Sequence, residues 1–263
     1  MTMRARIFTV ILVGAVVISA VIATRLVAAK PDNPPEGKKP QKAPRPEKLT
    51  QIIFVHPVAP EKPGSPGKPD KPPKPKPEEP KENSYYELWG GYLDNILPAK
   101  YYINPAVGLV TAGDPVAAVN TAVGAWDTVT EPQVFNYVGT TEKNWYELDG
   151  QNTISWVKFI PRENIAMAVM WYDENMEIWE FDIVFNTFHR WGINPAKGDR
   201  AFDIQNIATH EFGHPVGLDD LYDSLYSELT MYGYSRTGET KKCSLEEGDI
   251  SGAQYLYGPF PSE

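Results

Sequence analysis

Cysteine is almost absent from this chain of 263 residues: Cys243 stands alone, so no internal disulfide can form. Its setting, "KKCSLEEGD", has no second thiol and no nearby histidine, and it reads as a loop thiol. Basic residues are scarce in the C-terminal part. Before position 83 lie 15 of the 25 lysines and arginines but only 8 of the 34 acidic residues, which leaves a net charge near −16 beyond it. A surface of that sign excludes nucleic acid as a natural partner, because phosphate binding needs a basic patch. The acidic clusters fit either a calcium site or a plain solvated face. Stability without disulfides must come from a core, with or without a bound metal.

What is present divides the sequence into three parts. Residues 1–30 open with Arg4 and Arg6 and continue in an apolar run from Ile7 to about Thr24. That run is long for a signal-peptide core and just long enough to cross a bilayer, so it fits a cleaved signal or a retained membrane anchor. Either directs the chain out of the cytoplasm, with the C-terminal part outside. Residues 31–83 hold most of the 25 prolines. Proline lacks the amide hydrogen that helices and ladders need, so this stretch is expected to be a disordered, partly polyproline II linker. One apolar island, "IIFVHPVA" (Ile52 to Ala59), interrupts it. It reads equally as a docked pro-segment or a merely sticky stretch. His56 within it, and His189 further on, are taken as linker and loop residues.

From about Ser84 the composition becomes globular. "AKYYINP" reads as a strand, and "GDPVAAVNTAVGAWDTV" as a helix with Asp114 as N-cap and Pro115 in its first turn. Val116, Val119, Val123 and Trp126 share one face of it. Four strand-like runs follow, "QVFNYV", "NTISWVKF", "IAMAVMWY" and "EIWEFDIVFN", the last two joined by a turn at "DENM". Trp179, Phe181, Ile183 and Phe185 alternate in the final run. A helix capped by Asp203 comes next. The last helix has Ser244 and Glu247 at capping-box spacing and Gly258 as its stop. The order predicts one α+β domain over 84–263: a mixed, mostly parallel twisted sheet of about five strands with three main helices. It is expected to be a monomer.

The stretch "ATHEFGHPVGLDD" carries the chemistry. His210 and His214, four apart on a helix, can point at one ion, and Glu211 flanks their face. Catalytic zinc takes three protein ligands and keeps one open position. Gly217 permits a sharp turn, because glycine tolerates positive φ, and the returning chain can deliver a carboxylate. Spacing favours Asp220 over Asp219 or Asp223. Pro215 removes an amide that would bond to the Glu211 carbonyl, so the helix is expected to end or kink there.

The extended HExxHxxGxxD pattern and the downstream "LTMYGYS" resemble the metzincins, and "TMYGYSRTGETKKCSLEEGDISGAQYLYG" is similar to the end of a matrixin domain. The resemblance spans about residues 85–258. It implies a zinc endopeptidase acting on extracellular proteins, with His210, His214 and Asp220 on Zn2+, Glu211 as general base and Met231 beneath the metal. It also implies that Tyr232 and Tyr234 wall the pocket for the residue after the cut. The strand near Ile165–Trp171, with Ala166 and Ala168, would receive the substrate as an added antiparallel strand. Aspartate stands where matrixins usually place a third histidine, which predicts a less acidic bound water. No cysteine precedes the domain, so the thiol-on-zinc latency of that family cannot operate. Two other readings stay open: a catalytically weak or inactive zinc-binding surface module, and a zinc-stabilised structural domain on a spacer.

Overall fold

Alternating apolar residues build most of the sheet. The computed structural model describes residues 44–60, 85–107, 113–196 and 198–259, which fall within one unit, Lys42–Glu263. The apolar N-terminal run and most of the proline-rich tract lie outside them. Among the described residues, no helix is long and apolar enough to cross a membrane. Six strands form one sheet: β1 (Thr50–Pro57), β2 (Ala99–Ile103), β3 (Phe135–Thr140), β4 (Asn152–Val157), β5 (Asn164–Tyr172) and β6 (Ile178–Asn186). Their order is β1-β5-β6-β4-β2-β3. The three pairings among β2, β3, β4 and β6 are parallel, and β5 is antiparallel to both its neighbours. A short parallel pair, β7 (Arg190–Gly192) and β8 (Ala201–Asp203), leads into the second helix.

Three helices pack with the sheet: α1 (Pro115–Asp127), α2 (Ile204–Val216) and α3 (Glu247–Tyr257). α1 starts where the sequence places it, with the Asp114 carboxylate accepting from the amides of Val116 (2.9 Å) and Ala117 (3.3 Å). α2 is buried on almost every side, which is why no polar stripe marks it. Phe212 locks it onto the sheet, its ring 5.0 Å from Phe135, 5.4 Å from Tyr101 and 6.0 Å from Phe181. The indole N–H groups of Trp126 and Trp89 donate to the carbonyls of Thr209 (2.9 Å) and His214 (2.8 Å), one near each end of the histidine segment. α3 starts two residues later than the spacing of Ser244 and Glu247 suggested: the capping box is Glu246 with Asp249. The register shifts because the Asp249 carboxylate is drawn inward by three backbone amides.

The opposite face of β5 and β6 is covered too. Met167, Val169, Trp171 and Val184 cluster there with Phe159. The loop before β4 closes over Glu180 and Asp182. Glu180 accepts from the amides of Asp149 and Gly150, both at 2.7 Å, and Asp182 from those of Glu147 (3.0 Å) and Thr153 (2.6 Å). These carboxylates are spent on backbone N–H groups.

The spacer expected over 31–83 is interrupted. The apolar island forms β1, paired antiparallel with β5 from Thr50↔Tyr172 to His56↔Ala166. Phe54 and His56 point inward and are buried, while Gln51 and Ile53 stay exposed. The alternation is there in the sequence, but the outward positions carry apolar residues as well, which blurs it. In consequence β5, expected as the free edge, is the second strand of the sheet.

Candidate metal centre

His210 and His214 lie one turn apart on α2, and a backbone carbonyl orients each ring. His210 Nδ1–H donates to Thr230 O (2.8 Å) and His214 Nδ1–H to Leu218 O (3.0 Å). Those bonds fix the tautomer and leave both Nε2 atoms as lone-pair donors. Both face Asp220 Oδ1, at 3.2 Å from His210 and 3.9 Å from His214. An ion with bonds of roughly 2.0–2.1 Å in tetrahedral geometry sets its ligands about 3.3 Å apart. His210 Nε2, Asp220 Oδ1 and both Glu211 carboxylate oxygens are buried without hydrogen-bond partners. Orphaned polar atoms of that kind converging on one point fit a cation. Burial pulls His214 down to about 4 and lowers His210 as well. Burial alone would raise the Asp220 carboxyl, but the imidazoles of His210 and His214 beside it outweigh that and hold it below the usual range.

The turn that delivers Asp220 rests on Gly217. Pro215 does not end the helix early. It stands in the last turn, where it removes one amide only, and α2 runs to Val216. Gly217 then adopts φ 118°, and a Cβ there would lie 2.7 Å from the Gly91 carbonyl oxygen and 2.6 Å from Leu256. The chain comes back to place Asp220, whose other oxygen, Oδ2, accepts from Tyr222 O–H at 3.0 Å. Sequence reasoning misses Tyr222, because an exposed tyrosine two residues on carries no signal of this role. Tyr222→Phe removes the bond that orients the carboxylate. It is expected to weaken zinc binding about 10- to 100-fold, as measured by competition with a chromogenic chelator.

Met231 is buried beneath α2, in contact with Gly213, where a Cβ would come 2.2 Å from its sulfur. The turn carrying it is fastened by Asp249, to which the sequence assigned no role. Asp249 accepts from the amides of Thr230 (3.0 Å), Met231 (3.2 Å) and Glu246 (2.9 Å). The Thr230 carbonyl in turn holds His210, so a residue of α3 reaches the centre through two backbone bonds.

Glu211 is buried beside the two histidines. Burial and the charge of Asp220 push its carboxyl well above the ordinary value. Against it lies His56, read from sequence as a linker residue. His56 is completely buried, with Nδ1 3.3 Å from Glu211 Oε1 and its ring centred 3.9 Å from that of His210. The contact with Glu211 is short, yet it lacks hydrogen-bond alignment. Lys242 is also fully buried, donating Nζ protons to the carbonyls of Tyr232 and of Tyr234, the latter at 3.0 Å. The tyrosines expected to wall a pocket thus hold a lysine by their backbones, with their rings 5.7 Å apart. Ala166 and Ala168, expected to face substrate, pair with His56 and Phe54 of β1. His189, read as a loop residue, sits by the Asn164 carbonyl at 3.2 Å, away from the centre. Cys243 likewise stands apart, its thiol donating to Asp203 Oδ1 at 3.3 Å.

Among the described residues, two groups of three ligating side chains meet: His210, His214 and Asp220, and His56, His210 and Glu211. Both lie at this centre, and neither has the all-oxygen character that calcium takes.

Comparison with known proteins places the chain in a family. The chain is 40% identical over 78 residues to matrix metalloproteinase-9 of Canis lupus familiaris, covering 29% of this chain and 10% of that protein. It is 40% identical over 62 residues to metalloendoproteinase 2-MMP of Arabidopsis thaliana, covering 24% and 15% respectively. With metalloendoproteinase 1-MMP of the same plant it shares 38% over 66 residues, covering 25% and 17%. The matched stretches are thus less than a fifth of each relative's length. The matrixin family model matches a far longer segment, residues 99–258, which takes in the sheet from β2 onward and all three helices. By that match the chain belongs to the matrixin family of metallopeptidases.

Proposed function

We propose that this protein is a zinc-dependent endopeptidase that acts outside the cytoplasm. One observation carries the reading: two imidazole nitrogens and one carboxylate oxygen converge beside a buried glutamate, and His210 Nε2, Asp220 Oδ1 and both glutamate oxygens have no hydrogen-bond partner. His210, His214 and Asp220 would hold the ion. Bound zinc would supply Lewis acidity, making water nucleophilic and stabilising negative charge on the carbonyl oxygen. The protein's own part is proton transfer. Glu211, kept basic by burial and by the neighbouring Asp220 carboxylate, takes the proton from the attacking water. It then returns that proton to the amine nitrogen as the peptide bond breaks. The Thr230 and Leu218 carbonyls keep both imidazoles aimed throughout, and Met231 gives them an apolar floor. Family membership and the apolar N-terminal run support a location outside the cell, free or tethered.

The test is metal content together with hydrolysis. Native mass spectrometry of the full chain is expected to show one zinc, lost with a chelator and much weakened by Asp220→Ala. A peptide-library digest is expected to show internal cleavage that stops on chelation and returns with zinc. Failure of the full chain to retain zinc would sink the proposal. Tight zinc binding with no cleavage, even after the groove described next is cleared, would favour the inactive surface module.

A further inference from the structure

We infer that β1 occupies the protein's own peptide groove and that His56 is a plug on Glu211, so that catalysis requires this strand to leave. The inference rests on the endopeptidase reading above. An incoming peptide that pairs with β5 needs the outer edge of that strand, and β1 covers it along eight residues. The C-terminal end of β1 is clamped from both sides. Val58 N–H donates to the Glu163 carbonyl at 2.7 Å, Val58 bridges in parallel to Ser235, and Ala59 N–H donates to the Ser235 carbonyl at 2.9 Å. The strand therefore lies between β5 and the segment that follows Met231, across the mouth of the centre.

Its inward side chains land on the candidate ligands. Phe54 stacks on His214, with ring centres 4.2 Å apart and planes 15° apart, and packs against Trp89. His56 lies against His210 and reaches Glu211. Its other ring nitrogen, Nε2, is 3.4 Å from Lys242 Nζ and 3.1 Å from Ser235 Oγ. Nε2 is thus tied to the far wall of the groove by Lys242 and Ser235, which leaves Nδ1 turned to the Glu211 carboxylate. A water or a peptide carbonyl approaching Glu211 from the groove meets this imidazole first. A strand serving only to extend the sheet would not need a polar ring in a fully buried position against the candidate base. Lys242, placed by the Tyr232 and Tyr234 carbonyls, holds that ring in place.

The experiment uses the full chain with a site for a sequence-specific protease introduced between residues 64 and 80. Before nicking, amides of β1 are expected to exchange with deuterium as slowly as those of β5, with or without zinc. After nicking, dilution of a Phe54→Asp version is expected to release the N-terminal fragment on gel filtration. Hydrolysis of a fluorogenic peptide should then rise at least 10-fold, mainly through a lower apparent KM. A labelled synthetic copy of residues 48–60 should rebind the freed protein and suppress hydrolysis, and a copy bearing His56→Ala should bind at least 10-fold more weakly. The intact His56→Ala chain guards against unfolding of the freed protein: it should keep β1 protected from exchange and yet hydrolyse several-fold faster. Fast exchange of β1 in the intact chain overturns the inference. So does unchanged Glu211-dependent hydrolysis once the strand is shown to be gone. Normal rebinding of the labelled copy with no hydrolysis in any version overturns the endopeptidase reading instead, while the occupied groove stands.

Discussion

Glu211→Gln is expected to lower kcat/KM for peptide hydrolysis by about 10²- to 10⁴-fold while one zinc per chain is retained. The amide keeps the shape and size of the carboxylate but cannot take a proton. None of the three candidate ligands is altered, so metal content should not move. Stability should hold or improve. Both Glu211 oxygens are buried without a hydrogen bond, and burial already disfavours the ionised form. The measurement is a paired one, steady-state hydrolysis beside thermal melting of the zinc-loaded protein. A Glu211→Gln variant that retains more than about a tenth of the activity would remove Glu211 from the role of base.

Asp249→Ala is expected to destabilise the protein by about 3 kcal/mol or more, because three buried backbone amides lose their acceptor and each is worth roughly 1 kcal/mol or above. The consequence should extend to the metal. Two of those amides belong to Thr230 and Met231, and the Thr230 carbonyl orients His210. Zinc affinity is therefore expected to fall about 10- to 100-fold, as for other residues that support ligands from behind. Asp249→Asn separates the two roles of the side chain. Its single carbonyl oxygen can still accept from Thr230 and Glu246, which share Oδ2 in the native protein, while its NH2 group opposes Met231 N–H. It should lose less stability than the alanine variant. Denaturant titration and zinc competition on the same preparations check both outcomes. Equal loss in the two variants would mean that side-chain volume, and not the hydrogen bonds, holds the turn.

The contrast between Asp220 and Asp249 shows what was legible. Asp220 could be chosen from spacing alone, because a helix, a glycine turn and a short return are all local events. The caps at Asp114 and Asp203 were legible for the same reason, as were the strands from Ala99 to Asn186 and the three helices. Asp249 was visible only as one acid near a helix start, and its partners lie some 19 residues upstream. Lys242 carries no signal in the sequence. Its burial depends on carbonyls of a separate turn meeting a histidine 186 residues away. β1 was the largest omission, since prolines on both sides argued for a spacer and the island was too apolar on both faces to reveal its period. Pro215 misled in the other direction. A proline disrupts a helix through the turn before it, and α2 had only one residue left to run.

Trp89 has an optical consequence. Its indole donates to the carbonyl of His214, lies 5.6 Å from Phe54 and 5.7 Å from Tyr172, and is only partly shielded from solvent. One fluorophore thus touches the helix bearing the histidines, the inserted strand and its neighbour in the sheet. Departure of Phe54 would expose that ring to water and shift its emission to the red, so an unlabelled sample can report opening in real time.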